Sequence, residues 1–263
     1  MAPPVEDYFF LRPETLSDGT YCGPGECVIA RDSLARYILQ EAYNYVPLLF
    51  CLGGPTVTGK SSLAVELGRI LGIRTIISTD TLRHTLSDCC PTAPPELSLF
   101  SHQCWQVSAE EYSPQALIEG FVSQSHALLP ALNSVARHCV VHKQNCILEG
   151  VHLIPEIVAE LEKEVGLNLV PLFLVTSEAM LLSTLLPRRT VSTYRHKPVN
   201  QYSAERLSRF RVLSRWWDDE LRAHHLAAIV NDGSPEDLLA SASHIISQHL
   251  ERLLANSCDS DHE

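Results

Sequence analysis

What the sequence has little of excludes several kinds of protein, and the first is the membrane protein. No run reaches the roughly 18 apolar residues that a membrane-spanning helix needs. The start, MAPPVEDYFF, is acidic and contains proline, which is not the pattern of a secretory signal peptide. We therefore expect a cytoplasmic protein that has no membrane partner.

Positive charge is also scarce. The chain has 20 Lys and Arg residues against 31 Asp and Glu, which gives a formal net charge of −11. A protein that binds a phosphodiester backbone needs a net basic surface, so we expect no nucleic acid as its main partner. A small anionic substrate is still allowed, because it needs only a local basic pocket.

A regular metal-binding cysteine module is missing as well, although the chain has nine cysteines. The grouping with the most ligand-type side chains is Cys89, Cys90, His102 and Cys104. Adjacent cysteines chelate one tetrahedral ion poorly, so this spacing matches no standard zinc module. We expect reduced thiols in a cytosolic protein and keep a zinc cluster of these four residues as the alternative.

The most informative stretch that is present is PLLFCLGGPTVTGKSS, residues 47–62. A strand-like apolar run leads into Gly54-x-x-x-x-Gly59-Lys60-Ser61, the spacing of a P-loop. Its glycines let backbone N–H groups turn towards phosphate oxygens, Lys60 supplies charge for the outer phosphates, and the Ser61 hydroxyl can bind Mg²⁺. We predict ATP and Mg²⁺ as ligands, with nucleotide contacts from Gly54, Pro55, Thr56, Val57, Thr58, Gly59, Lys60, Ser61 and Ser62.

The rest of the chain has the composition and the pattern of an α/β protein. It has 263 residues, of which 45% are hydrophobic and 19% charged, enough for one large domain or two small ones. Short apolar runs alternate with helical patterns, which predicts a P-loop NTPase-type parallel sheet of about five strands with helices on both faces. We divide the chain into an N-terminal arm and helix (1–45), the P-loop domain (46–255) and a disordered tail (256–263).

Polar side chains follow three of the predicted strands. Asp80 comes after the second strand, Glu149 ends the third, and Asn231 and Asp232 end the fifth, where they are expected to border the base. Ligands of open α/β sheets bind at these carboxyl ends. A kinase needs one carboxylate near the acceptor hydroxyl and one near Mg²⁺, which suits Asp80 and Glu149. The alternatives are helix capping by Asp80 and a purely structural carboxylate at Glu149.

Positive side chains for the transferred phosphate and the substrate are predicted in three places. Arg188 and Arg189 precede a basic loop that suits a closing lid, the alternative being a solvated loop. Arg83, one turn after Asp80, is a candidate clamp for a substrate phosphate or carboxylate. On the helix that begins near residue 203, Arg206 and Arg209 lie on the core-facing side and are predicted to reach the site. His152 is predicted as an anion donor, with a structural histidine as the alternative.

Five segments together resemble one known family, the 2-phosphoglycerate kinase-like P-loop proteins. They occur in the family's order over residues 47–250, and they are GGPTVTGKSSLA, IISTDTLRHTL, CILEGVHLIPEI, VPLFLV with a following arginine pair, and QYSAERLSRFRVLSRWW. The most distinctive pieces are S-T-D-x-x-R after the second strand and L-E-G-V-H-L after the third. The Pro- and Cys-rich loop at residues 89–100 departs from the family pattern.

The resemblance implies a P-loop kinase that transfers the γ-phosphoryl group of ATP to a hydroxyl of 2-phosphoglycerate, giving 2,3-bisphosphoglycerate. It places Lys60 and Ser61 on ATP and Mg²⁺, Asp80 and Arg83 beside the acceptor, and Glu149 and His152 at the substrate-side strand end. It also places Arg211 near the substrate, in conflict with the helical periodicity that favours Arg206 and Arg209. Three alternatives stay open: an inositol phosphate acceptor, a nucleoside or nucleotide acceptor, and a nucleotide-binding regulator without turnover.

Overall fold

The computed structural model describes residues 26–40, 45–164, 168–185 and 204–259. Five parallel strands form the centre of the described fold, in the spatial order β2-β3-β1-β4-β5. The strands are β1 (Leu48–Gly53), β2 (Thr75–Ser78), β3 (Cys146–Gly150), β4 (Asn168–Val175) and β5 (Ala228–Val230). The sheet type and the number of strands confirm the sequence prediction.

Nine α-helices are described around this sheet. They are α1 (Glu26–Gln40), α2 (Lys60–Leu71), α3 (Thr79–Cys89), α4 (Trp105–Ser108), α5 (Pro114–His142), α6 (Pro155–Glu164), α7 (Glu178–Leu185), α8 (Ala204–Ala223) and α9 (Pro235–Asp259). Two short 3₁₀ turns, Pro95–Ser98 and Ser101–Gln103, lie between α3 and α4. None of the described helices has the length and apolar character needed to cross a membrane.

The two faces of the sheet carry separate cores because successive side chains of a strand point in opposite directions. Along β1, Leu48, Phe50 and Leu52 pack with α1, α2 and α9. Leu49 and Cys51 point the other way and pack with α5, α6 and α8. A strand that is buried on both faces has no polar side and reads as a continuous apolar run, which is why β1 was visible in the sequence.

Helix α1, which we had grouped with the N-terminal arm, is part of the domain core. Its buried residues Leu34, Tyr37 and Ile38 share one apolar cluster with α2 and α9. On the outer side, the Ser33 hydroxyl donates to Glu251 on α9 at 3.0 Å, and Arg36 pairs with the same carboxylate. The packing therefore joins α1 to the last helix of the sheet domain. Helix α9 itself extends to Asp259, past residue 256 where we placed the start of the tail.

Local signals set most of the helix ends. Gly72 ends α2 in the left-handed region at φ 69°, and the Ser113 hydroxyl caps α5 by accepting from the Ala116 N–H at 3.0 Å. Ser234 and Asp237 form a reciprocal cap at the start of α9. The capping role considered for Asp80 is wrong, because Ser78 is the residue at the N-cap of α3 and Asp80 lies in the first turn.

The register of the sheet brings the ends of its central strands together. Leu52 of β1 pairs with Glu149 of β3, and Gly53 pairs with both Gly150 and Phe173. The loop that follows β1 therefore emerges beside Glu149, with Asp80 one strand further along. On the other side of β1, β4 and β5 end beside Asn231. The predicted arm, the pair Arg188 and Arg189, and residues 260–263 lie outside the described residues.

Candidate active site

A cleft of about 620 Å³ opens at the carboxyl ends of the strands. It runs from the β2 side of the sheet, across the loop after β1, to the β5 side. Eighteen residues line it: Thr56, Val57, Gly59, Lys60, Ser61, Ser62, Asp80, Phe100, Ser101, His102, Val151, Met180, Arg206, Phe210, Asn231, Gly233, Pro235 and Leu238. Six of the nine predicted nucleotide contacts are among them.

The loop between β1 and α2 has the backbone that the glycine spacing predicted. Gly54 has φ 143°, and a Cβ there would lie 2.1 Å from the Leu174 carbonyl oxygen. Gly59 has φ 90°, where a Cβ would lie 2.7 Å from Asn231 Nδ2. Val57 also has a positive φ, 74°, which is strained for a β-branched residue. The loop is therefore fixed in an open curve above the N-terminus of α2.

The remaining predicted loop residues support that curve from behind. Thr58 is fully buried and donates its hydroxyl hydrogen to the Pro55 carbonyl at 3.0 Å. Asn231, at the end of β5, donates from Nδ2 to the Thr58 carbonyl at 3.0 Å. Asp232 accepts from the Thr176 hydroxyl at 3.0 Å and the Ser177 N–H at 2.8 Å, which ties the ends of β4 and β5 together. The β5 end of the sheet thus holds the loop in place.

Lys60 lies at the base of the loop and is almost entirely buried. Its Nζ donates to the Pro55 carbonyl at 2.5 Å and to Thr58 Oγ1 at 3.2 Å. Burial lowers the pKa of Lys60 to about 8, and the carboxylates of Glu149 and Asp80 partly oppose that shift. An anion in the cleft would favour the charged form of the amine.

Ser61 and Glu149 come from the P-loop and from β3, and the structure brings them together. The Ser61 hydroxyl donates to Glu149 Oε2 at 3.0 Å, and Glu149 is buried with only 7% of its surface exposed. Both side chains offer hard oxygen ligands beside the phosphate-binding loop. This donor set fits Mg²⁺, which proteins hold by one or two oxygen ligands together with substrate phosphates. This hydrogen bond to Glu149 comes from the Ser61 hydroxyl and not from the neighbouring N–H that the structural alternative expects.

Asp80 lines the cleft from the first turn of α3, and its side chain is 65% exposed. Arg83 lies behind it, with Nε 3.3 Å from Asp80 Oδ1 and Nη1 donating to the Leu97 carbonyl at 2.6 Å. The Arg83 guanidinium also lies 5.7 Å from the ring centroid of Phe100. Arg83 is buried and is not among the lining residues, so its observed contacts orient Asp80 and the neighbouring loop. The clamp predicted for Arg83 is not the arrangement in this structure.

His152 does not face the cleft, which corrects the prediction of an anion donor. It is fully buried, with Nδ1 2.9 Å from Thr79 Oγ1 and Nε2 2.9 Å from Gln124 Oε1. Burial lowers its pKa to about 4, with the positive charges of Arg83 and Lys60 acting in the same direction against Asp80. His152 is therefore neutral near pH 7, and both of its ring nitrogens are already engaged.

The three arginines of α8 that were considered for the site lie in different surroundings. Arg206 lines the cleft, as helical periodicity predicted. Arg209 lies on the same side but packs 4.9 Å from the ring centroid of Tyr112 and 5.5 Å from that of Trp105. Arg211 points towards α7, where its Nε lies 2.9 Å from Glu178 Oε1. Of these three arginines, Arg206 is the one among the residues that line the cleft.

The Pro-rich loop at residues 89–100 is predicted to lie on the substrate side, but the sequence did not show which residues there form one side of the cleft, a segment that we call the 95–103 wall. Its residues Phe100, Ser101 and His102 line the cleft, and His102 packs 5.2 Å from the ring of Phe210 on α8. Burial and the charges of Arg206 and Arg209 lower the pKa of His102 to about 4. The Pro-rich length of this loop was the available signal, since such a loop indicates a substrate-side excursion without naming the residues that face inward.

The zinc alternative has no support in the described part of the chain. No three His, Cys, Asp or Glu side chains are grouped there as a metal site. Cys89 is exposed, whereas Cys104 is buried and lies 3.5 Å from the Phe100 carbonyl. The four residues therefore do not share one surrounding in which they could bind a single ion.

Comparison with known proteins agrees with the motifs. No family model matches the chain. The 2-phosphoglycerate kinase of Pyrococcus furiosus is 33% identical over 128 residues, 48% of this chain and 42% of that protein. The 2-phosphoglycerate kinase of Methanothermobacter thermautotrophicus is 25% identical over 195 residues, 70% of this chain and 61% of that protein. The first of these matches spans less than half the length of its relative.

A solved structure shares the fold. The chain matches a gluconokinase from Sinorhizobium meliloti 1021 with a TM-score of 0.50 and 16% sequence identity, covering 81% of this chain and 99% of that one. At this identity the likeness concerns the fold alone. The chain is therefore a protein of the P-loop kinase fold that is related in sequence to the 2-phosphoglycerate kinases, as its motifs predicted.

Proposed function

We propose that the chain is an ATP-dependent kinase that transfers the γ-phosphoryl group to a hydroxyl of a small anionic metabolite, with 2-phosphoglycerate as the leading acceptor. The observation that carries this proposal is the 3.0 Å hydrogen bond from Ser61, which lines the cleft together with Lys60 and Asp80, to the buried carboxylate of Glu149. Phosphoryl transfer needs a phosphate cradle, oxygen ligands for a metal ion and a carboxylate for the acceptor. Lys60, Ser61 and Asp80 line one cleft, and Glu149 contacts it through Ser61.

Each residue has a chemical role in this proposal. The N–H groups of the loop and Lys60 bind the phosphates and neutralise their charge. Ser61 and Glu149 would hold Mg²⁺, which when bound withdraws charge from the phosphate oxygens. Asp80 orients the acceptor hydroxyl and accepts its proton as the new phosphate ester bond forms. Arg206 pairs with the anionic acceptor, and the nonpolar rings of Phe100 and Phe210 exclude water around it.

The position of the nucleotide follows from the topology of the cleft. The loop after β1 lies at the centre, Asp80 and the 95–103 wall lie at the β2 end, and Asn231 and Leu238 lie at the β5 end. We assign the β5 end to the nucleoside and the β2 end to the acceptor, because Asp80 is at the latter. The phosphates then lie over Lys60, between the two ends.

The catalytic roles of Arg188 and Arg189 stay a prediction, because both lie outside the described residues. The choice of 2-phosphoglycerate rests on the named relatives, two of which are reported above. A phosphorylated three-carbon acid also suits an end of the cleft where Arg206 supplies positive charge. An inositol phosphate or a nucleoside remains an outcome of the test.

The test is acceptor-dependent ADP release with Mg·ATP. We would compare 2-phosphoglycerate with 3-phosphoglycerate, inositol phosphates and nucleosides at equal concentration. Fast release with 2-phosphoglycerate alone is the expected result. Release with another acceptor would keep the kinase and overturn the substrate. Tight ATP binding without any release would favour the regulator, and loss of both would overturn the proposal.

A further inference from the structure

The 95–103 wall contains two short 3₁₀ turns, which are closed by local backbone hydrogen bonds such as Leu99 N–H to the Glu96 carbonyl at 3.2 Å and Gln103 N–H to the Phe100 carbonyl at 2.7 Å. Three of its carbonyls also accept hydrogen bonds from side chains of other elements. Arg83 of α3 donates to the Leu97 carbonyl at 2.6 Å, and Gln124 of α5 donates to the carbonyls of Glu96 and Leu99 at 2.6 and 2.9 Å. The position of the wall therefore depends on the side chains behind it.

Gln124 supplies two of these three hydrogen bonds. It is fully buried and uses both hydrogens of its Nε2 on the wall, while its Oε1 lies 2.9 Å from His152 Nε2. Rotating the amide by half a turn would direct Oε1 at two carbonyl oxygens, which is unfavourable. Gln124 therefore has one orientation, and its Oε1 must accept a hydrogen bond from His152.

This requirement fixes the proton on His152. With Nε2–H donating to Gln124, the neutral ring has Nδ1 free to accept, and Thr79 Oγ1 lies 2.9 Å from it. Thr79 is the first residue of α3 and precedes Asp80. His152 also follows Glu149 by three residues, just past the end of β3. The connected side chains run from the start of α3, through His152 and Gln124, to the back of the wall.

We propose that His152 and Gln124 are positioning residues that fix the 95–103 wall relative to Asp80, and thereby set where the acceptor lies. Neither side chain lines the cleft, so each acts through the wall. The inference rests on the function proposed above, since it assumes that the β2 end holds the acceptor. A buried polar network is costly unless every partner is present, but when complete it selects one geometry. That property suits a wall that must hold a small acceptor at a defined distance from Asp80.

The first experiment separates acceptor binding from nucleotide binding. The variants Gln124→Met and His152→Leu remove the connection with little change in volume. We expect the KM for 2-phosphoglycerate to rise about tenfold, the scale of one buried hydrogen bond, while the KM for ATP changes less than about twofold. His152→Gln, which keeps a donor near the Nε2 position, should recover much of the loss.

Ser125→Ala is the matched control. Ser125 is the next residue on α5, is also fully buried, and donates only within the helix, to the Phe121 carbonyl at 3.0 Å. It should leave both KM values near wild type. An equal rise of both KM values in the two apolar variants, or a similar acceptor effect in Ser125→Ala, would overturn the proposal.

The second experiment does not depend on turnover. Hydrogen exchange of the peptide covering 95–103 should accelerate in Gln124→Met and His152→Leu, while the peptide covering 54–62 stays at the wild-type rate. If wild type releases no ADP with 2-phosphoglycerate, the proposed acceptor fails, and exchange alone still decides whether the pair fixes the wall. Unchanged exchange, or faster exchange with an unchanged acceptor KM, would refute the positioning role. Should the apolar variants not fold, Gln124→Asn, whose shorter side chain cannot reach the wall carbonyls and His152 together, takes the place of the loss variants, and His152→Gln remains the variant that should behave like wild type.

Discussion

The centre of the cleft and its β2 end are built in different ways. The centre, where we propose that phosphate binds, is one continuous stretch, residues 54–62, which follows directly on the central strand β1. The β2 end is assembled from separate elements: Asp80 on α3, the 95–103 wall, and Arg206 and Phe210 on α8. Continuous sites are encoded by local sequence, whereas assembled sites depend on packing. This difference decides which substitutions affect which substrate.

The largest effect is expected from Lys60→Met at the continuous centre. We expect the rate of phosphoryl transfer to fall by about 10³-fold or more, because the variant lacks the buried positive charge of Lys60 that would stabilise the transferred phosphate. The melting temperature should stay near wild type, since removing a buried amine also removes its desolvation cost. The measurement is the rate of ADP release together with a thermal melt.

Lys163→Met is the control for Lys60→Met, because Lys163 is exposed on α6. It removes the same charge and should leave the rate unchanged. Near-normal turnover in Lys60→Met would show that residues 54–62 are not the phosphate site. An unfolded variant would instead show that Lys60 is needed for the fold.

A smaller loss is expected from Asp80→Asn at the assembled end. An amide cannot accept the hydroxyl proton, and general-base catalysis contributes about 10²–10⁴-fold. The loss should fall on kcat, while the KM for ATP stays near wild type. Asp88→Asn, at an equally exposed position on the same helix, is the control. If Asp80→Asn weakened ATP binding instead, Asp80 would belong to the nucleotide half.

How far the sequence predicted the molecule follows the same division. Strands β2 and β4 belong to the predictable part, because each is a short, largely apolar run with clear ends, Thr75–Ser78 and Asn168–Val175. The P-loop was recognised because its spacing is local. Gln124 was not found, because nothing in a helical pattern reveals that a buried amide faces a loop some 25 residues earlier.

Periodicity alone also gave incomplete answers for side chains on known helices. It placed Arg206 and Arg209 on one face of α8. The guanidinium of Arg209, however, packs against the rings of Trp105 and Tyr112, which come from a separate segment. His152 follows a strand end, where functional residues are common, yet it turns inward to Thr79 and Gln124. In both cases the deciding contact comes from a part of the chain that is distant in sequence.

The next effect compares two arginines of one helix. Arg206→Ala should raise the KM for the acceptor about tenfold to a hundredfold, the range of a charge-assisted hydrogen bond. Arg211→Ala should change it less than about twofold, because Arg211 pairs with Glu178 on α7 in a partly exposed ion pair. Steady-state kinetics with 2-phosphoglycerate measure both. The reverse ranking would restore the assignment of Arg211 that the family resemblance implied.

The smallest expected effect is a pH dependence of ATP affinity. It should separate the centre of the cleft from the β2 end, because the lysine that lines the cleft, Lys60, lies at the centre. Without nucleotide, the pKa of Lys60 is about 8, so the amine is charged below that pH and loses its charge above it. Phosphate favours the charged form, so nucleotide binding above pH 8 must take up a proton, and affinity must fall as pH rises. From pH 7.5 to 9 the fall should be about eightfold at most, because with a pKa of about 8 the charged fraction of the free amine drops from about three quarters to about a tenth. Calorimetry of ATP binding at pH 8.5, in two buffers of different ionisation enthalpy, measures the uptake directly.

Lys60→Arg is the control, because its side chain keeps its charge at all these pH values. This variant should take up no proton at position 60. Equal uptake in that variant would assign the titration to another group, and acceptor binding at the β2 end should show no such dependence on Lys60.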